Sequence, residues 1–382
     1  MEHDFIIFGG TGQQGRICAR DLIESGYTVM LAGRDSSKIK NLLKSKKAYF
    51  IRIDLRNQRD IINAIKKSKA RVVINCAELN FNIPIMKACL NAKRHCIDLG
   101  GLHDITIEQF NLEKNFKKNK LMCITGCGST PGIVNIMTAH IAEDYDSIDS
   151  IEAGFAWDSN KKIFVTPYSI KSIFDEFTEN PIFFHNGRFV KTDQMSCYRE
   201  KYFKEIGRQK CYCIVHSEIY TFSKYFKNKG VKKIHYLAGF PDHSLIKIKN
   251  LIELGFDSDN PIKIKDIEIR PRDFTTELLK RLQPPKDYLE KENLWVVVEG
   301  NVKGKKKTTE MNCIVKTIKG WEDAGSNVNT GRTISIISQM IYDGSIKGSG
   351  VYAPEGIVPH KIFFKELAKR KMTLYLNGKK IN

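Results

Sequence analysis

The stretch D-F-I-I-F-G-G-T-G-Q-Q-G-R, residues 4–16, constrains this chain more than any other, because an apolar run of strand length breaks directly into four glycines. Gly10, Gly12 and Gly15 satisfy G-x-G-x-x-G, a weak signal by itself. Here the context completes it: the amphipathic segment G-R-I-C-A-R-D-L-I-E-S-G follows, and T-V-M-L-A-G-R supplies a second strand within about 30 residues. Such a unit cradles a dinucleotide pyrophosphate. Gly10 permits the tight turn, Gly12 lets the backbone approach the phosphates, and Gly15 allows close helix-on-strand packing. Thr11, Gln13 and Gln14 fill out the cradle, and the helix N-terminus beyond offers free N–H groups and partial positive charge.

The alternation continues. S-S-K-I-K-N-L-L-K-S-K reads as a helix, A-Y-F-I-R-I-D-L as a strand, Q-R-D-I-I-N-A-I-K-K-S as a helix and R-V-V-I-N-C-A as a strand. N-I-P-I-M-K-A-C-L-N-A-K is helical and H-C-I-D-L-G-G extended, before a further helix leads to the strand L-M-C-I-T-G-C-G. Repeated βαβ units of this length predict an α/β fold with a doubly wound parallel sheet and helices on both faces. At 382 residues the chain is long enough for two cores. From about residue 147 the texture shifts to aromatic-rich strand segments with interspersed helices, an α+β pattern. L-W-V-V-V-E-G-N-V-K-G-K-K-K-T-T-E-M-N-C-I-V-K-T-I reads as a hairpin turning at K-G-K-K.

The end of the second strand selects the cofactor. An acidic residue there accepts the ribose 2′-OH of NAD, whereas an arginine accommodates the 2′-phosphate of NADP. Arg34 stands first in L-A-G-R-D-S-S-K, followed by Asp35, two serines and Lys38. That set favours NADP. A one-residue shift would put Asp35 on the ribose and keep NAD as the alternative. Asp54, at the end of the third strand, faces the adenine side or caps the next helix. Asn75, Cys76 and Ala77, after the fourth, border the riboses or nicotinamide.

A formal charge of +19 would by itself suggest nucleic acid or an anionic membrane. The lysines are scattered through loops and helix faces without aromatic interleaving, so neither partner is expected. No apolar run reaches membrane-spanning length and the N-terminus lacks a leader pattern, so a cytoplasmic setting is the expectation. Ten cysteines show no paired C-x-x-C sets. Buried free thiols are expected, and no metal site.

With C-I-D-L-G-G, G-C-G-S-T-P-G-I-V-N-I-M, V-H-S-E-I-Y-T-F and G-V-Y-A-P-E-G-I-V-P-H-K-I-F-F-K-E-L-A-K-R-K-M in view, the whole chain resembles the saccharopine dehydrogenase-like family, in its saccharopine reductase and lysine 6-dehydrogenase branch. The resemblance implies a Rossmann domain (1–128) rejoined by C-terminal helices (326–382). Between them it implies an inserted α+β domain (129–325) for substrate binding and dimerisation. It further implies hydride transfer between NAD or NADP and the carbon of an amino-acid C–N bond, in a homodimer. Where many saccharopine reductases have an aspartate before the P-G pair this chain has Thr130, which shifts the expectation toward lysine or a related amine.

Hydride removal from a C–N carbon needs an unprotonated nitrogen and groups that fix the substrate. Asp98, at the end of a parallel strand and followed by Gly100 and Gly101, is the first choice for holding or deprotonating the amine; the other reading is a turn residue. In G-S-T-P-G-I-V-N a small-residue turn opens a helix, with Thr130, Pro131 and Asn135 as substrate contacts or as a plain junction. Alternation in C-I-V-H-S-E-I-Y-T-F would place His216 and Glu218 on one strand face, as a general acid–base and an amine anchor or as a structural hydrogen bond. Tyr168 would close over the substrate or sit in the core, and Thr330 would touch substrate or cap its helix. Two other functions compete. One is an atypical short-chain reductase, for which Tyr225 and Lys229 have the right spacing but lie at a turn; the other is a non-catalytic NADP-binding regulator.

Overall fold

The computed structural model describes residues 2–166, 168–193 and 195–382. Short β-branched runs form β1 (Phe5–Phe8), β2 (Val29–Gly33), β3 (Ala48–Arg52), β4 (Val72–Asn75), β5 (His95–Asp98) and β6 (Met122–Ile124). Among them lie α1 (Gln13–Glu24), α2 (Gln58–Ser68), α3 (Asn82–Ala92), α4 (His103–Asn111) and α5 (Glu113–Lys118). Next come α6 (Ile133–Glu143), β7 (Ser147–Ser159), α7 (Ile170–Thr178), β8 (Ile182–His185), β9 (Arg188–Lys191), β10 (Tyr198–Phe203) and β11 (Gly207–Cys213). The chain continues through α8 (Glu218–Tyr225), β12 (Lys233–Gly239), α9 (Asp242–Glu253), β13 (Ile262–Ile264), β14 (Ile267–Ile269) and α10 (Pro271–Leu279). It closes with β15 (Glu290–Val302), β16 (Lys305–Lys316), α11 (Val328–Tyr342), β17 (Gly350–Tyr352), α12 (His360–Lys369), β18 (Thr373–Leu376) and β19 (Lys379–Lys380).

The first sheet is parallel, in the order β17-β6-β5-β4-β1-β2-β3. Its strands are apolar on both faces. Phe5 and Ile7 enter one core, Ile6 and Phe8 the other, as expected of a sheet covered by helices on both sides. The order reverses between β1 and β4, which opens the ligand crevice beyond Phe8 and Asn75. The segment expected as a helix after β2 forms only two short 3-10 turns, Ser37–Ile39 and Leu42–Lys44. Ile39 is its one fully buried apolar residue, too little to anchor a helical face.

Near the chain's end, β17 joins the first sheet beside β6. α11 lies so close on α1 that a Cβ on Gly331 would stand 2.5 Å from the Ile17 Cβ. Buried Asp21 of α1 accepts hydrogen bonds from Arg370 Nε (2.8 Å) and Ser335 Oγ (2.7 Å). The final strands depart from the expected division, because β18 pairs with β16 and β19 with β18. The last residues therefore extend the second sheet.

That second sheet runs β10-β11-β12-β7-β15-β16-β18-β19, with β8 on β12 and β9 on β8. The β15–β16 hairpin turns at Lys303 and Gly304, both at positive φ (51° and 75°), the tight turn read from K-G-K-K. One expectation about cysteines is corrected: Cys197 and Cys213 form a disulfide, and the other eight are free. The two flank antiparallel β10 and β11, where Cys213 N donates to Cys197 O (2.9 Å). A separation of sixteen residues gives no hint of that cross-strand pairing.

Candidate active site

The glycine turn forms as the motif requires, with one shift of role. The left-handed residue is Gly9 (φ 70°), where a Cβ would lie 2.6 Å from the Ala77 amide; Gly10 instead packs under Leu31. The doubled glycine was the available signal for it. On Gly15 a Cβ would meet the Gly9 oxygen at 2.3 Å, so α1 can approach the turn only because that residue is glycine. Thr11 packs over Gly33, and Gln14 Nε2 donates to Asn327 Oδ1 (2.9 Å), which ties α1 to the start of α11. Gly12 opens α1 with no capping side chain, which leaves the N–H groups around Gln13 for an anion.

Beyond β2 and β3 a cavity of about 330 Å³ is lined by Arg34, Arg52, Asp54, Arg56 and Asp60. Asp35 turns away to accept from the Ser37 amide (2.9 Å) and hydroxyl. Asp54 is bound by Arg56, through its backbone N (3.0 Å) and its guanidinium, which holds the Asp54 pKa at about 2. Arg34 and Arg52 remain to meet a further anion, the arrangement a 2′-phosphate needs. The bare helix start and this arginine cavity fit NADP.

The loops after β4, β5 and β6 form the inner wall. Asn75 accepts from Ala77 N (2.9 Å) and donates to Asn82 (2.7 Å), so it shapes the Cys76–Ala77 turn from a buried position. Asp98 does not present an open carboxylate. It accepts from Gly100 N (2.8 Å), Thr125 Oγ1 (2.9 Å), Gly126 N (3.3 Å) and Gln109 Nε2 (2.6 Å). Burial still raises its pKa to about 6 against those four donors. Its place is that of a positioning residue locking the β5 and β6 turns. Gly100 (φ 59°) sits against Gly126, and Gly101 (φ 136°) offers its carbonyl to Ser217 N at 3.1 Å.

That last bond brings the second domain to the sheet edge. The expected strand ends at Cys213, so His216 lies in a loop and Glu218 opens α8; the two meet across a helix start, not along a strand face. His216 Nδ1 donates to Glu218, which also accepts from Thr130 Oγ1 (2.7 Å) and Ser217 Oγ (3.1 Å). Tyr236 OH bonds to Thr130 Oγ1, and its ring stacks on His216 with centroids 4.0 Å apart and planes at 8°. Tyr236, Thr130, Glu218 and His216 thus form one buried chain. Burial works against charging His216, yet Glu218 and, behind it, Glu176 raise its pKa above the ordinary value.

Pro131 follows Thr130 through a cis bond and packs against Gly126. Asn135 accepts from Gly132 N (2.8 Å) and donates to Glu355 (2.9 Å), joining α6 to the A-P-E loop. Thr330 shares a bond with Ser129 (2.9 Å) inside the first turn of α11, whose cap position is Asn327. Tyr168 OH donates to Glu176.

Sequence reading missed Tyr236, Glu176 and Glu292. Burial pushes the Glu176 carboxyl up to about 7 and that of Glu292 to about 8, although Asn329 donates to the latter. Their charges, with that of Glu218, bear on Tyr236. A carboxylate in an amphipathic helix or an alternating strand reads as surface, and no local pattern marks these as facing inward. Beside this group a cleft of about 550 Å³ runs between Leu102 and His103 on the first domain and Glu179, Ile182 and Lys191 on the second, with Val215 at its wall.

The pair expected of a short-chain reductase is employed elsewhere. Tyr225 OH accepts from Ala353 N (3.1 Å), and Lys229 Nζ donates to Tyr145 O (2.5 Å).

Two family models match, the saccharopine dehydrogenase NADP binding domain over residues 5–124 and the saccharopine dehydrogenase C-terminal domain over residues 128–372. Carboxynorspermidine synthase of Vibrio alginolyticus is 25% identical over 248 residues, 61% of this chain and 59% of that protein. The chain thus spans about three fifths of that relative's length. Carboxyaminopropylagmatine dehydrogenase of Synechocystis sp. is 20% identical over 379 residues, 94% of each chain. Saccharopine dehydrogenase (L-Glu forming) of Saccharomyces cerevisiae superposes over 100% of both chains with a TM-score of 0.76 at 15% identity, a likeness of fold.

Proposed function

The chain belongs to the saccharopine dehydrogenase family, and from that premise we propose that it transfers a hydride between NADP and the C–N carbon of a carboxylated amine, with His216 and Glu218 managing the proton at the substrate nitrogen. The observation that carries the reading is the buried Tyr236–Thr130–Glu218–His216 chain, tied by Ser217 to the Gly101 carbonyl at the edge where a nicotinamide would lie. NADP, bound on the α1 N-terminus and the Arg34 cavity, supplies the hydride or accepts it.

Glu218 fixes His216 through Nδ1 and leaves Nε2 as the atom that takes the proton from the amine. In the oxidative direction the C–H electron pair leaves as hydride, the C=N bond forms and the N–H proton passes to His216. In reduction the protonated imidazole returns it. Stacking on Tyr236 holds the ring plane fixed while its charge changes.

The acidic lining supports a substrate with additional cationic nitrogens. In a chain of net charge +19, Glu218 lies against His216 with Glu176 behind it, and Asp104 and Glu179 border the adjoining cleft. Two relatives carry names that denote carboxylated polyamines or their agmatine counterpart. We therefore place a carboxylated polyamine ahead of lysine and saccharopine. Purified enzyme is assayed with NADP or NAD against lysine, saccharopine, ornithine and carboxylated polyamines by absorbance of the reduced cofactor. Turnover is expected with a carboxylated polyamine and abolished in His216→Ala; NADP binding without turnover of any amine defeats the proposal.

We also propose a homodimer, supported by exposed apolar residues on β13, β14 and α10 such as Ile264, Ile267 and Phe274. A cytoplasmic setting is supported by the eight free, mostly buried thiols, with the Cys197–Cys213 disulfide as the one feature against it. No helix among the described residues is long and apolar enough to cross a membrane.

A further inference from the structure

Away from the cleft, the last turn of α6 meets the first turn of α12. His140 and Glu143 stand three residues apart on α6, and His360 is the first residue of α12. One donor atom from each lies within 4.8 Å of the other two. The imidazole centroids of His140 and His360 are 4.6 Å apart, and the Phe364 ring packs edge-on against His140 at 5.3 Å. His360 is only 9% exposed. Its Nδ1 faces Glu143 Oε1 at 3.4 Å, while its Nε2 and His140 Nδ1 are buried with no hydrogen-bond partner among the described residues. Buried polar atoms nearly always find a partner, so two such imidazole nitrogens in adjoining rings indicate a missing one.

We propose that His140, Glu143 and His360 bind a divalent transition-metal cation of the zinc class, with water completing the coordination. Two imidazoles and a carboxylate suit zinc or cobalt and not the hard magnesium or calcium ions. Donors on tetrahedral zinc stand about 3.4 Å apart. Binding therefore draws the group together by at most about 1.4 Å from its 4.8 Å limit, a movement the exposed Glu143 side chain can make. Asp144 favours a cation at this point and Lys361 opposes it. The ion would clamp the end of α6 to the start of α12, while the Asn135–Glu355 bond (2.9 Å) ties the start of α6 to the A-P-E turn before α12.

The test uses the full-length protein, stripped with a chelator and titrated with zinc chloride by calorimetry and with cobalt(II) by visible absorption. A single 1:1 site with tetrahedral cobalt bands is expected. Zinc affinity should fall at least about tenfold in Glu143→Gln and be lost in the His140→Ala/His360→Ala double variant. NADP binding reports whether each variant is folded. Absence of a saturable site overturns the proposal, as does equal affinity and stoichiometry in the double variant, which would place zinc on cysteines. Should the double variant not fold, Glu143→Gln decides, and an unchanged affinity there also overturns it.

Discussion

Arg34 shows how one side chain sets a cofactor preference. It stands on the rim of a cavity in which Asp54 is occupied by Arg56, while the neighbouring Asp35 is occupied by Ser37. Arg34→Ala removes a charge-assisted contact of about 1.5–3 kcal/mol. NADP affinity should fall about 10- to 100-fold, with NAD affected by no more than a few-fold, as measured by fluorescence titration. Equal losses for both cofactors would remove the phosphate role. The placement of Arg34 at the rim of this cavity was legible from its position after the second strand, and the segments of His216, Glu218 and Thr130 marked residues that the structure brings together. Tyr236 and Glu176 were not, because their roles arise from a stack and a hydrogen bond between residues 8 to 106 positions apart. Asp98 was read as chemistry because its position at a strand end is the same for a reactive group and for a turn lock; only its four donors distinguish them.

Among the elements, β15 and α11 are joined by a carboxylate that burial keeps largely protonated. Glu292 accepts from Asn329, and its pKa is about 8 in the folded protein. In the unfolded chain it returns to the ordinary value near 4.3. Between those values the folded state holds a proton that the unfolded state has released, so this group's contribution to stability declines as pH rises through that window and levels off above about 8. Glu292→Gln retains an acceptor for Asn329 without the titration. Urea midpoints should show the variant more stable than the parent near pH 9 and the gap closing toward pH 5; a variant no more stable at the higher pH refutes the assignment. Element identity was largely legible, since period and turn residues marked the βαβ units and the K-G-K-K hairpin. The failures have physical causes. The segment after β2 forms two short 3-10 turns, of which only Ile39 is fully buried, and the V-H-S-E segment left its strand once Glu218 became the first residue of a helix.

For the whole molecule, the unresolved balance is between a highly positive chain and an apolar face. Ile262 (50% exposed), Ile264 (51%), Ile267 (64%), Phe274 (51%) and Leu278 (48%) follow one another on β13, β14 and α10. Such a run supports the proposed dimer interface. Ile264→Asp with Phe274→Asp should shift the mass in light scattering from dimer to monomer while NADP still binds. A parent that is itself monomeric at assay concentrations would reject the dimer. The way the chain closes on itself also sets the order in which it can mature. The edge strand β17 pairs with β6 across roughly 230 intervening residues. At about 5–20 residues per second a ribosome needs some 10–45 s to bridge that gap. During that interval the nascent cofactor domain carries an open strand edge at β6, until β17 emerges to pair with it, and an uncovered α1, until α11 emerges.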